Sequence, residues 1–158
     1  MNVAAHARAH ATAPATAVVI DSSAAAAWLL PDEHGDNAQR VYARVRLGEL
    51  ELHAPELWLW ECGNIIANGV AQRRMTPADA MLTWSVLDAI RSRVELTSLV
   101  PAQLRAALTL ALDHALSLND AAYLWLALSL KLPLLTHNRK LAAAARPAVD
   151  VLTLEDLA

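Results

Sequence analysis

One cysteine, no phenylalanine and no excess of positive charge are what the 158-residue sequence has to show in three informative categories. Cys62 has no second cysteine to pair with. An internal disulfide and a cysteine-ligated zinc cluster are therefore excluded, which points to a reducing compartment. With 13 basic against 16 acidic residues and a formal net charge of -3, the chain is not one that coats nucleic acid non-specifically. A local basic patch on an enzyme stays compatible with that balance. No uncharged apolar run approaches the ~20 residues needed to cross a bilayer, and the N-terminal stretch lacks an apolar core of the signal-peptide kind. The expected protein has no membrane contact and is soluble and cytoplasmic.

What is present is a chain that is 56% hydrophobic, so most of it should be packed. The length fits one domain and leaves little room for a second. Met1 to about Thr16 (MNVAAHARAHATAPAT) is low in complexity and reads as a disordered extension; His6 and His10 have helical metal-binding spacing but no acidic or cysteine partner nearby. A single domain is expected over 17–158.

Ala17–Ile20 (AVVI) is short, apolar and rich in β-branched residues, which predicts a buried strand. An Ala-rich helix follows Asp21-Ser22-Ser23 and breaks at Pro31. A second helix is expected from Asp36 to Leu47, a strand over Glu49 to Ala54, and a helix opened by Pro55 and running to about Gln72. Thr76-Pro77-Ala78-Asp79 is a helix start with Thr as N-cap and Pro in the first position. Val94 to Thr97 reads as a strand, Pro101 to about Leu116 as a helix, and Asp120 to Lys131 as a helix capped by Asn119. Pro133 to Thr136 and Val149 to Leu152 read as strands around a short Ala-rich helix. Strands alternating with helices predict an α/β fold, a central parallel sheet flanked by helices on both faces.

In such sheets ligands bind beyond the carboxyl ends of the strands. Asp21 directly follows AVVI, and Thr136-His137-Asn138 directly follows Pro-Leu-Leu. Asp120 stands at a helix start. Glu61 lies inside the apolar stretch LWLWECGNII, where Leu57, Glu61, Asn64 and Asn68 share one helical stripe and make a narrow polar seam. Taken singly, each has an ordinary reading. Asp21 caps a helix, Asp120 answers a helix dipole, the seam is a solvated face, and Thr136-His137-Asn138 is a turn. His137 and Cys62 have no evident catalytic partners, and Cys62 reads as structural.

Taken as a set, the residues are more specific. VVIDSSAAAAWLLPDE, APELWLWECGNII and LSLNDAAYLWLALSLKLPLLTHNRKL resemble the PIN-domain family, and within it the VapC-type toxins. The resemblance runs from about Ala17 to the C-terminus. It implies a ribonuclease that gathers acidic residues at one end of a parallel sheet to hold Mg²⁺ or Mn²⁺. Asp21, Glu61 and Asp120 match the first three acidic positions. The fourth is commonly Asp, and here it is Asn138. Ser22 and Thr136 match supporting hydroxyl positions. Mg²⁺ suits that set, because it takes few carboxylates and keeps several waters. Arg139-Lys140, directly after Asn138, is placed to meet a phosphate, and Arg73-Arg74 is a second local pair; a solvated surface role stays open for both. The resemblance further implies an RNA substrate, transfer RNA by default, a VapB-type antitoxin and a homodimer. Two other readings stand beside it. One is a PIN-fold protein of impaired catalysis that binds RNA or a partner without cutting, favoured by Asn138. The other is a phosphoacceptor domain, disfavoured because Asp21 lacks an adjacent acidic partner.

Overall fold

The structure is a computed structural model that describes residues 15–158. His6 and His10 fall outside the described residues. Five strands form one sheet: β1 (Ala17–Ile20), β2 (Glu51–Pro55), β3 (Val94–Thr97), β4 (Leu134–Leu135) and β5 (Val151–Leu152). The order across the sheet is β3-β2-β1-β4-β5, and all four pairings are parallel. Val18, Val19 and Ile20 are each 0% exposed. Successive strand residues point to opposite faces, so burial of all three means that both faces of β1 are covered.

The covering comes from α1 (Ser22–Leu29), α2 (Asp36–Arg46), α3 (Leu57–Ala71), α4 (Pro77–Arg91), α5 (Pro101–His114), α6 (Leu118–Leu130), α7 (Arg139–Ala145) and α8 (Leu154–Leu157). The four alanines Ala24 to Ala27 are all buried and give α1 a slim profile, so that α3 packs close against it. Trp28 in α1 donates its indole N–H to the Ala38 carbonyl at 2.8 Å, which ties α1 to α2. The expected start of α4 is present in full: Thr76 accepts from Asp79 N, and Asp79 accepts from Thr76 N, closing a capping box.

The chain steps from β1 to β2 to β3 on one side, then returns through α5 and α6 to β4 on the other side of β1. The strand order therefore reverses between β1 and β4. In open parallel sheets that reversal leaves a crevice at the carboxyl ends of the two strands, where ligands bind. Asp21 leaves one of those strand ends and Thr136 the other.

Several expectations are corrected. Pro55 ends β2 rather than opening α3, and its place at the strand terminus spares the sheet a missing donor. Ser117, not Asn119, caps α6: its side chain accepts from Asp120 N. The N-terminal extension was expected through Thr16, but Ala15 O accepts from Arg44 and Thr16 O accepts from Glu51 N, so both residues are tied to the fold. The helix α8 was not expected; four residues carry too short a period to read, although its Thr153–Asp156 capping box is visible afterwards. Among the described residues no helix is long and apolar enough to cross a membrane.

Candidate active site

Asp21 sits at the N-cap position of α1, yet its side chain does not cap the helix. Its backbone N–H donates to Leu135 O at 3.0 Å, which pins it to the end of β4. The carboxylate is 3% exposed and accepts from three hydroxyls: Ser23 at 2.5 Å, Thr136 at 2.7 Å and Ser22 at 3.3 Å. A buried carboxylate is costly unless donors compensate it. Here the donors come from both strand ends of the crevice. Ser23 also accepts from His137 N at 2.9 Å, and Thr136 accepts from Asn138 N at 3.0 Å. The Asp21 carboxylate thus organises the loop after β4. Ser23 had not been singled out in the sequence, although it stands beside Ser22 in the Asp-Ser-Ser triplet.

Asp120 lies in the first turn of α6, half-buried, and its Oδ1 accepts from Asn138 Nδ2 at 3.2 Å. The amide oxygen of Asn138 accepts from Lys140 N and Leu141 N and so caps α7. Asp21, Asp120, Ser22, Ser23 and Asn138 line one open cleft of about 510 Å³, with Ile65 and Asn68 of α3 on its far wall.

Glu61 is not among the residues lining that cleft. Its two oxygens accept from Tyr123 at 2.6 Å and from Asn119 at 3.1 Å, both on α6, which holds the side chain against the base of that helix. Burial, the Glu61 charge and its hydrogen bond, with a smaller contribution from Asp21, push the Tyr123 phenol far above its usual range. It is therefore a fixed donor. Burial and the Glu61 and Asp21 charges likewise keep the Cys62 thiol protonated, which fits the structural role expected of it. Both groups feel Asp21 and Glu61 together. The expectation of a narrow polar seam on an otherwise buried α3 is corrected: only Trp58, Cys62, Ile66 and Gly69 form its buried face, whereas Asn64 and Asn68 are exposed and Trp60 is 80% exposed. Tyr123 and Asn119 were also missed. Their signal was the spacing Asn119-Asp120-x-x-Tyr123, which places the tyrosine one turn from the aspartate.

Among the described residues no three His, Cys, Asp or Glu side chains stand close enough together to hold one ion. The donor chemistry nevertheless fits a hard cation. Asp21 and Asp120 face the same cleft, each carboxylate oxygen has two lone pairs, the lining holds no sulfur donor, and its one imidazole is that of the exposed His137. Such a set suits an ion that keeps most of its waters rather than one held in a closed cage. Arg139 and Lys140 are exposed in the first turn of α7; neither lines this cleft. Arg74 does line it, clasped to Asp32 at 2.7 Å and Glu33 at 2.6 Å.

The sequence pattern of the PIN domain matches residues 18–147. The chain belongs to the PIN-domain family. It is 32% identical over 131 residues to the ribonuclease VapC3 of Pyrobaculum aerophilum, an alignment spanning 79% of this chain and 92% of VapC3, which places it with the VapC-type branch. Two solved structures share its fold. PAE2754 from Pyrobaculum aerophilum superposes with a TM-score of 0.63 at 21% identity, over 90% of this chain and 92% of that one. VapBC2 from Rickettsia felis, bound to a promoter DNA fragment, gives 0.61 at 14% identity, over 87% of this chain and 98% of the matched one.

Proposed function

We propose that this PIN domain, spanning residues 15–158, is the toxin ribonuclease of a VapBC-type toxin–antitoxin pair, acting in the cytoplasm with Mg²⁺ or Mn²⁺. The observation that carries the reading is the convergence of Asp21 and Asp120 on one cleft at the reversal of strand order, in a family whose relative is a ribonuclease. Asp21 and Asp120 would hold the ion, with Glu61 as the third acidic group behind Tyr123 and Asn119. When bound, the ion supplies positive charge that acidifies a water and offsets charge building on the scissile phosphate. The chain's own contribution is orientation. Ser22, Ser23 and Thr136 fix the Asp21 carboxylate, Asn138 fixes Asp120, and no protein nucleophile is required. The substrate is RNA, with transfer RNA as the first class to try. A VapB-type antitoxin is the proposed partner, and the proposed assembly is a homodimer.

The test is cleavage of RNA by the purified chain with Mg²⁺ and with EDTA. Activity should require the ion and fall by orders of magnitude in Asp21→Ala and Asp120→Ala, because residues acting as a unit are not additive. Full activity in a folded Asp120→Ala protein would remove the assignment. One observation favours a second reading, a PIN-fold protein that binds RNA or a partner without cutting. The amide oxygen of Asn138 is already engaged by two backbone N–H groups, so the fourth position offers the ion little. RNA binding without cleavage under every divalent ion tried would decide for it.

A further inference from the structure

His137 lines the cleft and two neighbouring grooves. Their charges are opposite. One carries Glu33 and Glu155, and its lining among the described residues includes no Lys or Arg. The other, about 560 Å³, is lined by Arg139 and Arg146 together with Ala142, Val151, Thr136 and Thr153. Arg139 opens α7 and Arg146, seven residues on, is its C-cap in helical backbone conformation, so the two rise about 10 Å apart along one side of the helix with Ala142 between. Both are exposed, and neither forms an ion pair among the described residues, in contrast to Arg74 in its clasp. The one acidic group in that groove, Asp156, has its Oδ2 occupied by Thr153 N at 2.7 Å and Thr153 Oγ1 at 2.8 Å.

We propose that the Arg139–Arg146 groove carries the backbone phosphates of the RNA strand on one side of the scissile bond. The proposal rests on the ribonuclease reading for the position of that bond. A polyanion leaving the carboxylate-lined cleft meets Glu155 and no lining cation in one groove, where Glu33 is already paired with Arg74, and two guanidinium groups in the other, which meet successive phosphates rather than a single small anion. His137 is the corner at which the strand turns.

Binding is measured by fluorescence anisotropy of a labelled single-stranded RNA in EDTA, so that no cleavage intervenes, across a series of salt concentrations. Arg139→Glu, Arg146→Glu and the milder Arg146→Ala are compared with Arg91→Glu, at the far end of the strands, as a charge-matched control. Each lost phosphate contact should lower the magnitude of the log–log salt slope by about 0.7 and weaken binding several-fold, while Arg91→Glu stays near wild type. Cleavage supplies a second readout. Arg146→Ala should lower kcat/KM on an RNA with flanks on both sides of the bond, and trimming one particular flank should abolish the difference. Slopes equal to wild type in all three groove variants would overturn the proposal and leave the groove to an acidic protein segment. If the wild type cuts no RNA, the ribonuclease reading fails, and the salt slopes still decide the groove. Melting curves confirm that the exposed-site variants are folded.

Discussion

Asn138 ties the first turn of α7 to the aspartate of α6: its Nδ2 donates to Asp120 Oδ1 at 3.2 Å while its Oδ1 caps α7 through Lys140 N and Leu141 N. An aspartate at this position would keep the cap, since Asp and Asn cap about equally, but would lose the donor to Asp120. The departure from the family's usual fourth acid thus exchanges a carboxylate that repels Asp120 for an amide that holds it.

The consequence is a crossover. In EDTA, Asn138→Asp should melt below wild type, because two carboxylates facing each other at this distance repel. With Mg²⁺ it should gain more than wild type, as a ligand stabilises the form that binds it more tightly. Asn138→Ala should lose the cap, at about 1 kcal/mol, and gain nothing from Mg²⁺ beyond wild type. Melting curves of the three proteins with and without Mg²⁺ check this; equal Mg²⁺ shifts in wild type and Asn138→Asp would detach residue 138 from the ion.

Ser22 and Ser23 are neighbours with unequal duties. Ser23 donates to Asp21 at 2.5 Å and accepts from His137 N, whereas the Ser22 contact is 3.3 Å long. Ser23→Ala should cost about 1.5–3 kcal/mol, the range for a hydrogen bond to a charged group, and should loosen the loop that carries Asn138. Ser22→Ala should cost well under that, on the order of 0.5 kcal/mol. Urea unfolding of both variants gives the comparison. A costlier Ser22→Ala would mean that the hydroxyls exchange roles in solution.

The pattern of the sequence explains which of these features could be read beforehand. The AVVI run, the Thr76–Asp79 box and the alternation of strands and helices are local signals, and each lies within a residue or two of its expected place. The positions of Asp21, Asp120 and Asn138 at strand and helix ends were legible for the same reason. What was hidden depends on pairs distant in sequence. Ser23 meets Thr136 and His137 across more than a hundred residues, and Tyr123 meets Glu61 between two helices. Periodicity identifies a stripe on one helix but not the neighbour it faces, so Glu61 could be placed on a seam while its partners could not. The α6 cap was misassigned because Ser117 and Asn119 are both good capping residues, and only backbone geometry separates them.

Two tryptophans of α3 lie on opposite sides of the boundary between core and surface. Trp58 is 0% exposed and excluded from any interface, while Trp60, two residues on, is 80% exposed. Met81 and Leu82 on α4, the helix packed against α3, are also exposed. Apolar side chains left in water on adjoining helices mark association surfaces. If the chain dimerises as proposed, Trp60→Glu should shift it toward monomer and leave the melting temperature of the monomer nearly unchanged. Light scattering with wild type as reference reads the change. A dimer unaffected by Trp60→Glu would exclude this face, and a monomeric wild type at micromolar concentration would remove the dimer.

The buried pair beside Glu61 should set an alkaline limit on stability. Cys62, ordinarily near 9.0, and Tyr123, ordinarily near 10.0, are both shifted upward, chiefly by burial and then by the Glu61 charge. The folded state therefore keeps protons that the unfolded state gives up. A raised folded-state value means that stability is fully present below the unfolded value and is lost as pH rises above it. Loss should begin near pH 9.0 through Cys62 and steepen near pH 10.0 through Tyr123, each group contributing at most about 1.4 kcal/mol per pH unit. Cys62→Ala removes the first step, so its stability, lower at neutral pH for lost packing, should stay level up to about the tyrosine's range before falling. Urea unfolding across the alkaline range, at matched ionic strength, compares the two slopes. Parallel decline of wild type and Cys62→Ala from the same onset would show that the thiol is not kept protonated by the fold.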